Sequence, residues 1–138
     1  MVNKSVKLYR GLQGVYFDRT RTTFIDGSNG ILEYRGYNIH DLAEKSTFEE
    51  VSYLLLHGDL PNRQQLDTFN DSLKEARNLP AQIFSIIDEI KNSHPMDVLR
   101  TAVSALASFD EDRENDTVEG AIKKGIRLTS QVPTIVMA

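Results

Sequence analysis

Apolar residues recur at helical spacing through most of the chain, and the segment from His94 to Phe109 shows the pattern most fully. Leu99, Ala102, Val103, Leu106 and Phe109 form one apolar stripe. Val98, Thr101, Ala105 and Ser108 form a second stripe, nearly all small. Pro95 suits the first turn, where its missing N–H costs nothing. One stripe is enough to seat a helix on its own core. A second stripe of small residues predicts another backbone lying close against it. This helix is therefore expected at the centre of the chain, with one side open to a second subunit.

The segments before it have their own signals. Residues 1–10 read as a flexible arm, and Gly11 to Val15 as an irregular approach. Two short strand-like runs, Thr22 to Ile25 and Ile31 to Tyr34, flank the turn formers Asp26-Gly27-Ser28-Asn29-Gly30. They predict a β-hairpin over 22–35. An isolated hairpin is marginal in water, and Phe24, Ile25, Ile31 and Leu32 are apolar, so it is expected to dock on helices.

From residue 38 to 138 the chain reads as helical. Asn38 caps a short helix carrying Ile39, Leu42 and Ala43. Thr47 and Glu50 form a capping box for a helix from Phe48 to His57, with Val51, Leu54 and Leu55 on its inner face. Phe48, Tyr53 and Leu56 widen that face, Gly58 ends the helix, and Pro61 prevents its continuation. Asn62 caps a one-sided helix from Arg63 to about Arg77, with Leu66, Phe69, Leu73 and Ala76 inward. Pro80 opens a further helix, Ala81 to Lys91, with Ile83, Phe84, Ile86, Ile87 and Ile90 inward. Asp110 to Asp116 is expected to be the most exposed loop of the chain. Asp116 and Glu119 are expected to cap a last helix, Thr117 to Ala138, with Ala121, Ile122, Gly125, Leu128 and Val132 on one side. Pro133 should kink it. The fold class is thus mainly α: one unit over 11–138, five or six helices with a small N-terminal β-hairpin. An apolar end at Ile135-Val136-Met137-Ala138 suggests a truncated chain, or an end that docks onto a partner.

Composition adds exclusions. With 138 residues, 40% hydrophobic and 26% charged, the chain has the length and make-up of one globular domain. A net charge of -4 gives no reason to expect nucleic acid or an anionic membrane as partner. No apolar run approaches the ~20 residues that span a bilayer, and the N-terminus has no signal-peptide core, so a cytoplasmic protein is expected. There is no cysteine, which excludes thiolate metal sites.

Candidate chemistry is sparse. His40, His57 and His94 have no second histidine or carboxylate at metal-ligand spacing on the same element, so they read as surface or capping groups. His94, at the start of the two-striped helix, is the one expected to be partly buried. The turn at 26–30 lacks the glutamate and the oxygen spacing of a calcium loop. The residues by themselves offer no nucleophile, general base, metal or cofactor site.

A set of motifs nonetheless resembles a known family. Gly11-Leu12-Gln13-Gly14-Val15, Ile25-Asp26-Gly27, Gly30-Ile31-Leu32-Glu33-Tyr34-Arg35-Gly36-Tyr37, Tyr53-Leu54-Leu55-Leu56-His57-Gly58 and Leu60-Pro61 follow the order seen at the opening of bacterial and archaeal citrate synthases. His94-Pro95-Met96 with Leu99 to Leu106 looks like that family's HPM helix, and Ile126-Arg127-Leu128 with Val132-Pro133-Thr134 like its next long helix. The resemblance implies a fragment of the helical large domain of a citrate synthase-like fold. It implies a homodimeric acyltransferase that condenses acetyl-CoA with oxaloacetate to citrate, or, in a close subgroup, propionyl-CoA to 2-methylcitrate. The family's two histidines and aspartate lie beyond the matched segment, so no catalytic and no cofactor-binding residue carries over. The chain alone should be inactive and should need the missing C-terminal catalytic portion. The resemblance also marks a subunit interface at His94, Met96, Val98, Ala102, Ala105, Ser108, Leu128, Val132 and Val136. The alternative of another class is a stand-alone helical dimerisation or assembly module using residues 94–138.

Overall fold

The computed structural model describes residues 8–16 and 18–138. The arm expected at 1–10 falls mostly outside them; its described end, Leu8 to Arg10, is exposed and runs into a 3-10 turn at Arg10–Leu12. Three short strands follow, β1 (Thr23–Asp26), β2 (Ile31–Tyr34) and β3 (Tyr37–Asn38), antiparallel in that order. Thr23 pairs with Tyr34 and Asp26 with Ile31, so the expected hairpin is displaced by one residue on its first strand. β3 was not foreseen. It exists because Arg35 and Gly36 both take left-handed φ angles, 52° and 88°, and so close a tight second turn.

Six helices complete the chain: α1 (Ile39–Lys45), α2 (Phe48–His57), α3 (Arg63–Glu75), α4 (Ala81–Ile90), α5 (Pro95–Leu106) and α6 (Val118–Val136). Their starts are set by side chains. The Asn38 side chain accepts from the His40 amide. Thr47 and Glu50 make the expected reciprocal pair, at 3.2 and 2.7 Å. Asn62 makes an unforeseen second box with Gln65, both bonds at 2.9 Å. α6 is capped by Thr117, whose hydroxyl accepts from the Gly120 amide at 3.1 Å, and not by Asp116 with Glu119. α6 remains helical through Pro133, which leaves the Thr129 carbonyl without its helix donor. No helix among the described residues is long and apolar enough to cross a membrane.

The helices pack around α6. It contacts α2, α3 and α5, whereas α5 lies between α4 and α6. The hub is therefore α6 and not the two-striped α5. Its surface explains this: small residues at Gly120, Gly125 and Ser130 let neighbours come close, and Gly125 lies directly against the Leu56 side chain. Ser130 Oγ donates to the Leu73 carbonyl and ties α6 to α3. One core joins Ile83, Ala102, Leu106 and Ile135 across α4, α5 and α6. Leu54, Phe69 and Leu73 are buried where α2 and α3 meet α6, and Leu42 lies between α1 and the sheet.

Several residues expected inside are outside. Phe48, Phe84, Phe109 and Leu128 are all exposed, and of the isoleucines on α4 just Ile83 is fully buried. The sheet docks on one side: α1 covers β2 and β3, and Arg35 Nη2 donates to the Leu55 carbonyl at 3.0 Å. β1 stays open, with Phe24 56% and Ile25 71% exposed.

Candidate functional site

The residues singled out on α5 and α6 divide among three surfaces. Met96, Val98 and Val136 come together in a groove of about 350 Å3 between the end of α4, the start of α5 and the end of α6. Ile87, Leu99 and Ile135 form its floor. Ala105 and Ser108 lie elsewhere, along a shallow groove with Arg100, Thr101 and Ser104. Leu128 belongs to a third surface, a cavity of about 470 Å3 with Val103, Leu106 and Phe109. Ala102 is fully buried in the chain's own core, and Val132 is half-buried. Ala102 therefore serves the core and offers no surface to a partner. His94 is exposed, not partly buried: its Nδ1 accepts from the Met96 amide at 3.2 Å and caps α5. His40 is exposed at the start of α1.

His57 has a more particular setting. Its ring stacks on Tyr53, with centroids 4.2 Å apart, and meets the edge of Phe69 at 6.1 Å. A helix C-terminus favours a cation. Partial burial against the rings opposes this and lowers the imidazole below its ordinary value.

The acidic loop is where the structure departs most from expectation. Asp110 and Asp112 are not among the most exposed residues; their side chains are 21% and 26% exposed. Arg127, on α6, reaches both: Nη2 donates to Asp110 at 2.6 Å and Nη1 to Asp112 at 2.9 Å. Lys124 Nζ donates to the carbonyls of Arg113 and Asn115, at 3.0 and 2.9 Å. The Asn115 side chain in turn accepts from the amide and hydroxyl of Thr117. The Arg127 guanidinium, with help from Asn115, holds the Asp112 carboxyl below its ordinary value. The loop is thus a clamp that borders one end of the cavity beside Leu128. Sequence reasoning missed it because the partners lie 15 and 17 positions apart, beyond any helical or strand period. The available signal was a group of cations on one face of the last helix, Lys123, Lys124 and Arg127, following the acidic run at 110–116.

These surfaces are grooves lined by apolar side chains, with an ion-paired cluster at the border of one of them. Among the described residues no three His, Asp or Glu side chains converge as a metal set. Comparison with known proteins supplies what the geometry does not. The family model described as citrate synthase, C-terminal domain, matches residues 11–138. The citrate synthase of Deinococcus radiodurans is 44% identical over 130 residues, covering 94% of this chain and 34% of that protein. A 2-methylcitrate synthase of Corynebacterium glutamicum is 42% identical over 128 residues, covering 92% and 34%. The crystal structure of the Pyrobaculum aerophilum citrate synthase superposes with a TM-score of 0.87 at 36% identity, over 93% of this chain and 34% of that one. The chain spans about a third of the length of these relatives.

Proposed function

The chain belongs to the citrate synthase family, and on that premise we propose that it is part of an acyltransferase that condenses acetyl-CoA with oxaloacetate to give citrate and CoA. The observation that carries this reading is the 44% identity to a citrate synthase over nearly the whole chain. A second reading, propionyl-CoA to 2-methylcitrate, is favoured by the 42% identity to a 2-methylcitrate synthase. The segment itself does not separate the two, because none of its residues is a candidate for the acyl pocket.

In this proposal the catalytic histidines and aspartate belong to the part of the family fold that this chain does not span. What the chain contributes is scaffold. α6 packs against α2, α3 and α5, and the other surface of this layer receives the rest of the enzyme. The working form is a cytoplasmic homodimer. Met96, Val98 and Val136 in one groove and Ala105 and Ser108 in another are the residues offered to the partner subunit. The test is release of the CoA thiol from acetyl-CoA with oxaloacetate. The purified 138-residue chain should give no turnover above background. Measurable turnover would show that it carries catalytic groups of its own, and would overturn the scaffold assignment.

A further inference from the structure

The turn joining β1 to β2 has a chemistry of its own. No other asparagine of the chain precedes a glycine; Asn29 precedes Gly30. Both residues are exposed. Gly30 has a φ of 67° and nothing within 4 Å of where a Cβ would stand, so no side chain crowds the step that follows Asn29. The Asp26 carboxylate holds the other side of the turn. Oδ1 accepts from the amides of Ser28 and Asn29, both at 3.1 Å, and Oδ2 accepts from Asn29 Nδ2 at 2.7 Å.

We infer that the Asn29–Gly30 step is a site of spontaneous deamidation, slowed by the Asp26 carboxylate that grips the Asn29 amide. In the reaction the Gly30 nitrogen loses its proton to solvent and attacks Asn29 Cγ. The new N–Cγ bond closes a succinimide, and the Cγ–Nδ2 bond breaks with loss of ammonia. Water then opens the ring to aspartate or, through the other carbonyl, to isoaspartate. Asp26 opposes the first step in two ways. A charged acceptor on Nδ2 makes Cγ a poorer electrophile. It also draws the side chain back towards residue 26 and away from the Gly30 nitrogen. Once conversion occurs, the grip becomes a repulsion, because a carboxylate at position 29 faces that of Asp26. An isoaspartyl link also adds a backbone atom beside the Asp26–Ile31 pair and disturbs the register of β1. The reaction therefore releases the strand that already has an open edge.

The test is peptide mapping by mass spectrometry during incubation of the chain in mildly alkaline buffer, with isoaspartate detected by enzymatic methylation. Conversion should reach position 29 before Asn78, Asn92 and Asn115. Asp26→Ala should accelerate conversion at 29 several-fold. Asp26→Asn, which keeps an oxygen for the two amides but loses the charge, should fall between. Hydrogen exchange should then show lost protection over 23–26. Conversion at 29 no faster than at the other asparagines would overturn the inference. So would an unchanged rate in both Asp26 variants.

Discussion

Two glycines of α6 should respond unequally to the same substitution. Replacing a helical glycine by alanine gains up to ~1 kcal/mol in backbone terms. What decides the sign is where the new methyl goes. At Gly125 it would stand 2.9 Å from Leu56 Cδ2 and 4.0 Å from Cδ1. Leu56 is half-buried, and its tip turns aside at a rotamer cost of about 0.5–1.5 kcal/mol. Gain and cost nearly cancel, so Gly125→Ala should lie within ~0.5 kcal/mol of wild type. At Gly120 the methyl would stand 2.5 Å from Asn115 Cγ, 2.6 Å from its carbonyl oxygen and 2.7 Å from Oδ1. These atoms do not yield. The carbonyl is held by Lys124 at 2.9 Å, and Oδ1 by the Thr117 hydroxyl at 2.7 Å. Overpacking of this kind costs roughly 1–3 kcal/mol. Displacing Asn115 also weakens two hydrogen bonds worth ~0.5–1.5 kcal/mol each. Gly120 lies in the first turn of α6, so the backbone gain there is at its smallest. The balance is a loss of about 1–2 kcal/mol for Gly120→Ala. In a chain of this size that lowers Tm by roughly 3–8 °C. Urea melts with an unchanged slope would give the free energy. If Gly120→Ala matches or exceeds either wild type or Gly125→Ala, the tight contact between the loop and α6 is not there.

Three further outcomes follow from the packing and the clamp. Ile83→Ala empties the fully buried centre shared by α4, α5 and α6 and should cost ~2–5 kcal/mol in a urea melt. A loss below 1 kcal/mol would mean that this core is loosely packed. The folded Asp112 carboxyl titrates below its unfolded value, so its contribution to stability is present above about pH 4 and is lost as pH falls through the lower, folded value. Asp112→Asn should flatten that part of the stability curve, and an identical acid fall in variant and wild type would remove Asp112 as its source. Ala105→Glu should prevent pairing of subunits, because a charge is not buried unpaired at a close helix contact; sedimentation of wild type and variant at high concentration measures this, and a monomeric wild type would defeat the proposed dimer.

The helices were legible where their determinants are local. Thr47 with Glu50, Asn62, Pro80 and Pro95 set starts that the structure reproduces within a residue or two. The inner face of α2 through Leu54 and that of α3 through Phe69 and Leu73 followed from apolar spacing. Spacing identifies which residues share a face but not whether anything covers it. Phe84 and Phe109 belong to apolar stripes, yet they stand exposed. The hub helix was misjudged for a related reason. α5 has two apolar faces, whereas α6 gathers its neighbours through Gly120, Gly125 and Ser130, which carry almost no hydrophobic signal. The Arg127 clamp and the Arg35 turn depend on partners distant in sequence or on a left-handed backbone at a residue other than glycine, and neither leaves a periodic trace.

The total surface bears on how this scaffold is stabilised. The chain exposes 11037 Å2 for a mass of 15.6 kDa. A compact monomer of that mass exposes about 7,200 Å2. Part of the excess is apolar side chain. It lies where Phe24 and Ile25 face outward from β1, where Met96 and Val136 line their groove, and where Phe48 and Met137 flank the far end of α6. Monomers seldom leave apolar patches of more than a few hundred Å2 open. Covering such area gains roughly 25 cal/mol per Å2 before the costs of association. The cores beneath are small: Ile83, Ala102, Leu106 and Ile135 are the buried members of one of them, with Leu79, Ile87, Leu99, Val103 and Ala105 partly buried against it. With such cores and so much open surface, covering that surface should add to the stability of the chain. Conditions that bring the rest of a citrate synthase fold onto α6 should therefore raise its melting temperature more than any single substitution inside it.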